Sequence, residues 1–466
     1  GIAPGTYRAY ALQDADADFR FTQKSEMIAF NHATFEPSSK PDIRVDTVWR
    51  DSLHIDALLQ IPYTHFLPDD ITLLAFTHPQ TDRTLLKTER VEPNKISMYF
   101  TYGDSLLPQI KGINFNADSA FVIEANEKRD TIHYWIRDTT LVNQDTLRMD
   151  LTYHVTDTLG NLVLQTDSAI DIVPKVSFEK RMKEKAKEIE KWQKEQEKKK
   201  KKEEKYDSIY PVKALEPKFA VPSSMIPGDR IIVEMPTPLM KCDTSAVHLY
   251  SQIDSLWYDA ECEFRPVKNS IRMYEIVADW RLGVEYSLEI DSAAFVDIYG
   301  LVSNPYKQGI KIKTLDEFSS ITMNISGVEA ADTSIIVQML SSQDAVTREV
   351  RVRNGKAEFK YVTPGKFYLR AFIDANGNGI WDIGDYDSDR QPEDVYYYSK
   401  ELECKEKWDV TESWNLTATP RHRQKPQAIT KQKPDQAKKL KNRNIERAKQ
   451  LGIEYMKSKD INLEKK

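Results

Sequence analysis

Apolar and polar residues alternate at period two along most of this chain, which is the mark of strands with one face inward and one outward. The alternation is plain in Ala120–Glu124, in Thr131–Arg137 and in Leu147–Tyr153. Turn signals such as Asp157-Thr158-Leu159-Gly160-Asn161 separate these runs. The pattern returns in Arg230–Met235, Ala246–Tyr250 and Glu285–Ile290. Asp297-Ile298-Tyr299-Gly300-Leu301 repeats the earlier turn at an offset of 140 residues. The reading is mainly β: tandem antiparallel β-sandwiches over 41–175, 215–318 and 319–416.

One segment, 176–214, breaks the period. Glu179 to Lys205 is almost wholly Lys, Glu and Gln. Glu179–Lys183, Glu190–Lys194, Glu195–Lys199 and Glu197–Lys201 stand four apart in the order that supports a helix. Phe178, Met182, Ala186, Ile189 and Trp192 form an apolar stripe at helical spacing. The spacing predicts a charged helical connector whose first half docks on a neighbour, with Phe178, Met182, Ile189 and Trp192 as the docking residues. Lys198–Lys202 continue it as exposed helix or frayed coil.

The chain also repeats itself. Pro4-Gly5-Thr6-Tyr7 and Asp14-Ala15-Asp16-Ala17-Asp18 recur 360 residues later as Pro364-Gly365-Lys366-Phe367 and Asp374-Ala375-Asn376-Gly377-Asn378. Residues 1–40 then read as the C-terminal part of a sandwich like that of 319–416, whose upstream part is missing from the sequence. Residues 417–466 form a basic, partly helical tail: 421–466 hold 15 Lys/Arg against 5 Asp/Glu. Ile445, Ala448, Gly452 and Met456 stand three or four apart, at helical spacing.

Composition narrows the function classes. The 466 residues carry a formal net charge of −6, so the whole chain is not a polyanion binder. Sixteen glycines are few, and no phosphate-loop or dinucleotide fingerprint is present. No nucleophile elbow or His-Glu-x-x-His motif occurs, and the eight histidines are scattered. An enzyme is not expected, nor a small-molecule substrate. The lysine run is interleaved with Glu and lacks alternating aromatics, so nucleic acid is not expected either. Cys242, Cys262 and Cys404 make no metal pattern. Cys242 and Cys262 would pair only on neighbouring strands.

Asp374-x-Asn376-x-Asn378-Gly379-Ile380-x-Asp382-x-x-Asp385 has the oxygen-ligand spacing of a calcium loop. Asp374, Asn376 and Asn378 supply side chains, Ile380 a main-chain carbonyl, and Asp382 and Asp385 the remaining positions. An Asx/Gly turn that caps its own backbone gives the same pattern. Tyr396 and Tyr398 share one strand face and are candidate docking or sugar-stacking residues.

Ile231–Leu239, Tyr286–Ile290 and Asp297–Gly300 together resemble the S-layer-type bacterial Ig-like domain. The Pro-Gly-aromatic strand followed by the Asp374–Asp382 loop resembles a transthyretin-like or collagen-binding-B-like sandwich. Joined by a Lys/Glu-rich connector, they are similar to Ig-like cell-surface lipoproteins of Bacteroidota. The resemblance implies export to the outer membrane surface and a lipid anchor, which for this sequence would lie upstream of Gly1. It also implies an outer-membrane protein complex as partner, such as biogenesis or secretion machinery. The expected function is that of a non-catalytic docking subunit; a carbohydrate-binding or adhesin-type module is the alternative.

Overall fold

A computed structural model describes residues 5–51, 54–79, 81–329, 334–430 and 452. The chain is mainly antiparallel β in several sheets, as its alternation predicts. The helical spacing of Ile445, Ala448 and Met456 lies outside the described residues.

The best formed sandwiches follow the alternation closely. Strand Leu147–Thr156 buries Leu147, Met149, Leu151 and Tyr153 and leaves the residues between them partly exposed. Its sheet (Gln109–Gly112, Leu147–Thr156, Leu162–Ile172) faces a four-stranded sheet of Leu85–Glu89, Lys95–Phe100, Thr131–Ile136 and Phe121–Ala125. Ile96, Met98, Ile132 and Tyr134 from that sheet complete the core. A second sandwich, over Lys218–Lys311, closes around Ile231, Val233, Ile276, Trp280 and Leu288. A third closes around Ile321, Val337, Phe359, Leu369 and Trp414. There Ser319–Ser326 pairs in parallel with Asp409–Asn415.

The two echoed turns share one construction. Asp157 Oδ1 accepts from the N–H of Leu159 and Asn161, and Asp297 Oδ1 accepts from those of Tyr299 and Leu301. Gly160 and Gly300 stand at φ +84° and +81°, where a side chain is strained.

The structure draws several boundaries differently from the sequence reading. Residues 41–82 do not open a sandwich. Tyr7–Gln13, Met27–Phe35 and Leu74–Thr77 form one small sheet, and among the described residues Ser38–Trp49 pairs only with Ile55–Leu67. Period two identifies a strand but not the sheet it joins. Here Pro41 and Pro62, together with the row Lys40, Asp42, Arg44 and Asp46, suit strands kept at an edge. Among the described residues the small sheet has a core of Ile28, Phe30 and Phe76, with Ile383 of the last sandwich packed against it. Tyr386 lies 4.9 Å from Phe21 and 5.8 Å from Phe30, ring to ring. So the two copies of the repeated module dock on one another.

The basic tail also begins later than 417. Gln424 is buried; its side chain accepts from the Tyr397 N–H and donates to the carbonyls of Leu416 and Thr419. Ile429 is buried beside Leu340 and Tyr368. Cys242, Cys262 and Cys404 are free thiols, and burial pushes each above its usual pKa.

Candidate functional site

Two excursions leave the body of the molecule while their bases stay closed. The first is the helix Phe178–Lys201, 24 residues or about 36 Å long. Ser177 caps its N-terminus, and the Phe178 N–H donates to Asp145 Oδ1 at 2.6 Å. Arg181 donates to the Val142 carbonyl. Beneath it Arg90 is buried, and its guanidinium satisfies the carbonyls of Pro93, Leu141, Val142 and Gln144. The helix base is thereby pinned to the first full sandwich.

The connector is not a spacer. The sandwiches on either side of it touch directly. Arg272 Nε donates to both oxygens of Glu124, at 3.0 and 2.8 Å, and Nη1 donates to the Met235 carbonyl at 2.7 Å. Trp135 Nε1 donates to the same Glu124, and the Arg272 guanidinium lies 5.2 Å from the Trp135 ring. The Tyr299 hydroxyl crosses the same junction to the Ile136 carbonyl at 2.8 Å. The helix therefore runs out from this junction, and residues 203–214 return along it. Tyr210 packs on Trp192 at 5.4 Å, and the Asp207 N–H donates to Gln196 Oε1.

The apolar stripe divides along its length. Ile189 and Trp192 are half-buried, with the chain's own return segment against Trp192. Phe178 and Met182 stay exposed, with Arg181 over the Phe178 ring. Lys183–Glu179 and Lys194–Glu190 form the expected ion pairs.

The second excursion is the hairpin of Ser38–Trp49 and Ile55–Leu67, about 40 Å long at the rise of a strand. Register places Pro41, Ile43, Val45 and Thr47 opposite Thr64, Pro62, Gln60 and Leu58 on one face. All eight are exposed, and none is charged. The other face carries Lys40, Asp42, Arg44 and Asp46 opposite His65, Tyr63, Ile61 and Leu59. At the base His65 is held between Asp42 and Asp69 at 2.9 and 2.8 Å. Its hydrogen bonds to Asp42 and then Asp69 raise the imidazole above its usual pKa. No third strand joins the hairpin among the described residues. An isolated two-stranded hairpin is at best marginally stable in water. The exposed alternation was legible in sequence, but nothing in period two marked this segment as a projecting arm.

The repeated loops are built alike. Asp374 Oδ2 accepts from the Gly379 N–H, Asn376 from Asn378, and Asn378 from Ile380. Asp14 Oδ2 accepts from Phe19, Asp16 from Asp18, and Asp18 from Arg20. Gly377 and Gly379 take positive φ, and so do Ala17 and Phe19 in the other copy. Asn376 and Asn378 both donate to Asp382 Oδ2. Asp374, Asn376, Asn378 and Asp382 are thus brought together, while the Ile380 side chain points to solvent. Asp385 belongs to a different turn, where it accepts from the Asp387 N–H beside Ser388, and the Ser388 hydroxyl lowers its pKa. The acid that joins the loop instead is Glu393, which accepts from the N–H of Ala375 and Asp382. Glu26 does the same for Ala15 in the other copy. The insertion of 384–390 separates Glu393 from the motif spacing, which is why the sequence pointed to Asp385.

Asp374 is fully buried. Burial works to raise its pKa, but the Gly379 N–H and the Arg351 guanidinium at 3.0 Å outweigh it and hold the carboxyl below its usual value. Its Oδ1 is buried with no hydrogen-bond partner. These donors suit a hard cation in type, although Arg351 already neutralises the outer oxygen. In the N-terminal copy, oxygens of Asp14, Asp16 and Asp18 lie within 4.8 Å of one another.

Tyr396 and Tyr398 form no docking platform. They share one face as expected, but it is the core face: each is at most 5% exposed, and Tyr398 packs on Trp414.

No family model matches the chain, and no curated protein matches it. Among solved structures, it is similar to the N-terminal part of the bacterial S-layer protein SbsC at 10% identity and TM-score 0.19. That match covers 35% of this chain and 42% of the other. The major pilin subunit BcpA of Bacillus cereus is similar at 7% identity and TM-score 0.15, over 63% and 93% of the two chains. Protocadherin Gamma B2 is similar at 8% identity and TM-score 0.14, over 89% and 78%. Scores this low leave function to the chain's own geometry. Among the described residues, no helix is long and apolar enough to cross a membrane.

Proposed function

We propose that this chain is a non-catalytic, exported scaffold that docks on a protein of an outer-membrane assembly through the hairpin Ser38–Leu67. The sandwiches act as a stiff body, and an upstream lipid anchor holds them at the surface. One observation carries the reading: a long two-stranded ladder with an uncharged, exposed face and, among the described residues, no third strand. Such a face gains most by being covered. The tip residues Arg50, Asp51, His54 and Asp56 are charged or polar, which favours a protein cleft over the interior of a bilayer. The test is purification of the native full-length protein from detergent-solubilised outer membranes. A stoichiometric membrane protein co-purifies with the wild-type chain and is lost from a Val45→Lys/Leu58→Lys variant with unchanged circular dichroism. Recovery of the wild-type chain alone overturns the reading.

Calcium belongs to the same reading as a stiffener of the last sandwich. The orphaned, buried Asp374 Oδ1 favours it. Asp374, Asn376, Asn378, the Ile380 carbonyl, Asp382 and Glu393 are the donors, and Asp385 has no part. Terbium luminescence sensitised by Trp381 tests it. A signal displaced by calcium and lost in Asp374→Asn supports the site; no signal at millimolar ion removes it.

A further inference from the structure

We infer that the far end of the helical arm, Lys198–Lys202 with Tyr206 and Ile209, docks on the phosphate headgroups of an anionic lipid surface. This surface is separate from the hairpin and does not depend on it.

The first ground is position. The helix base is fixed through Asp145 and Val142, so its C-terminal end lies about 36 Å along the helix axis from that base. The second is charge. Lys183 and Lys194, nearer the base, are taken up in ion pairs along the helix. Among the described residues, Lys198–Lys202 have no carboxylate within ion-pair distance. Over Lys191–Asp207 eight lysines stand against Glu195, Glu197, Glu203, Glu204 and Asp207, so the end keeps a positive excess. The five consecutive lysines spread around the whole helix end, so some face outward whatever the approach.

The third ground separates lipid from other polyanions. The return segment lays apolar side chains beside the lysines. Tyr206 is 47% exposed under the Lys200 ammonium, and Ile209 is 80% exposed. Asp207 is bonded to Gln196 and Tyr210 packs on Trp192, which holds Ile209 within about two turns of the lysines. A phosphate polymer offers nothing to an exposed isoleucine. A lipid interface offers phosphates for ammonium groups and an acyl boundary for Tyr and Ile.

The test is flotation of the full chain with vesicles of phosphatidylcholine alone and of phosphatidylcholine with phosphatidylglycerol. Binding is expected only to the anionic vesicles and is expected to weaken as salt rises. Replacing Lys198–Lys202 by Gln, which preserves helix propensity, is expected to reduce binding by roughly tenfold or more. Ile209→Ser is expected to reduce it several-fold without touching charge. The hairpin variant Val45→Lys/Leu58→Lys is expected to bind vesicles as the wild type does, which separates this inference from the docking function. Equal binding to neutral vesicles overturns it, as does indifference to the glutamines. Indifference to Ile209→Ser, or tighter binding to an oligonucleotide than to the vesicles, overturns the assignment to lipid.

Discussion

Arg272 makes the charged contact at the junction between the first two full sandwiches, beside the Tyr299 hydroxyl, and Arg272→Ala removes it. Arg272 is 16% exposed and its partner Glu124 is 12% exposed. The substitution takes away two hydrogen bonds to a carboxylate and one to the Met235 carbonyl. It also removes a cation from near the Trp135 ring. Hydrogen bonds to charged groups contribute about 1.5–3 kcal/mol net, and a cation over an aromatic ring about 0.5–1 kcal/mol. Glu124 is left largely desolvated but keeps the Trp135 N–H, so the loss falls short of that for a fully buried pair. We expect a cost of about 2–4 kcal/mol. Arg272→Lys keeps the charge but not the planar fork and should cost about half as much. Hydrogen exchange in urea, read on the strands Thr131–Ile136 and Leu147–Thr156, follows the first sandwich directly. In a cycle with Glu124→Gln, the coupling should be about 1–2 kcal/mol. A loss below about 0.5 kcal/mol for Arg272→Ala would refute the claim that this contact holds the sandwiches together.

Other contacts make sharper or simpler tests. A Cβ at Gly384 would lie 2.5 Å from the Phe76 ring, so Gly384→Ala should loosen the N-terminal sheet by about 1–3 kcal/mol. Hydrogen exchange should then speed up in Met27–Phe35 and not in the third sandwich; uniform protection would contradict the docking of the two copies. The base of the hairpin should depend on pH. Because His65 is raised, its contribution is full below about pH 6.5 and fades as pH climbs through its folded value. His65 in turn lowers Asp42 and Asp69, so their share is lost only as pH falls through their depressed values. The clasp should be tightest between about pH 4 and 6.5. An NMR titration giving His65 an ordinary pKa would contradict this.

Periodicity made the strands and the helix legible, because burial of alternate residues leaves a direct trace. Leu147–Thr156 is as clear in sequence as in structure. The order of strands in sheets leaves none, so the sequence reading cuts the hairpin at residue 41 and places most of it in the sandwich 41–175. The offset of 360 residues disclosed the repeated module but not that its copies dock. That contact depends on Phe76 meeting Gly384, a pairing without a local signature. Motif spacing found Asp374, Asn376, Asn378 and Asp382. It missed Glu393, because the insertion of 384–390 displaces it from its place in the pattern; comparison with Glu26 in the shorter copy was the available clue. Tyr396 and Tyr398 show the limit of alternation: it places two residues on one face without saying which face is buried.

The central claim is that the sandwiches form one stiff body from which the helix projects. Nitroxide amino acids at Lys111 and Glu261, one in each abutting sandwich, test it by double electron–electron resonance on the full chain. A single narrow distance is predicted, unchanged when residues 178–213 are replaced by a flexible Gly-Ser linker. A broad distribution, or one that shifts when the arm is removed, would mean that the helix is a spacer and the body is not closed.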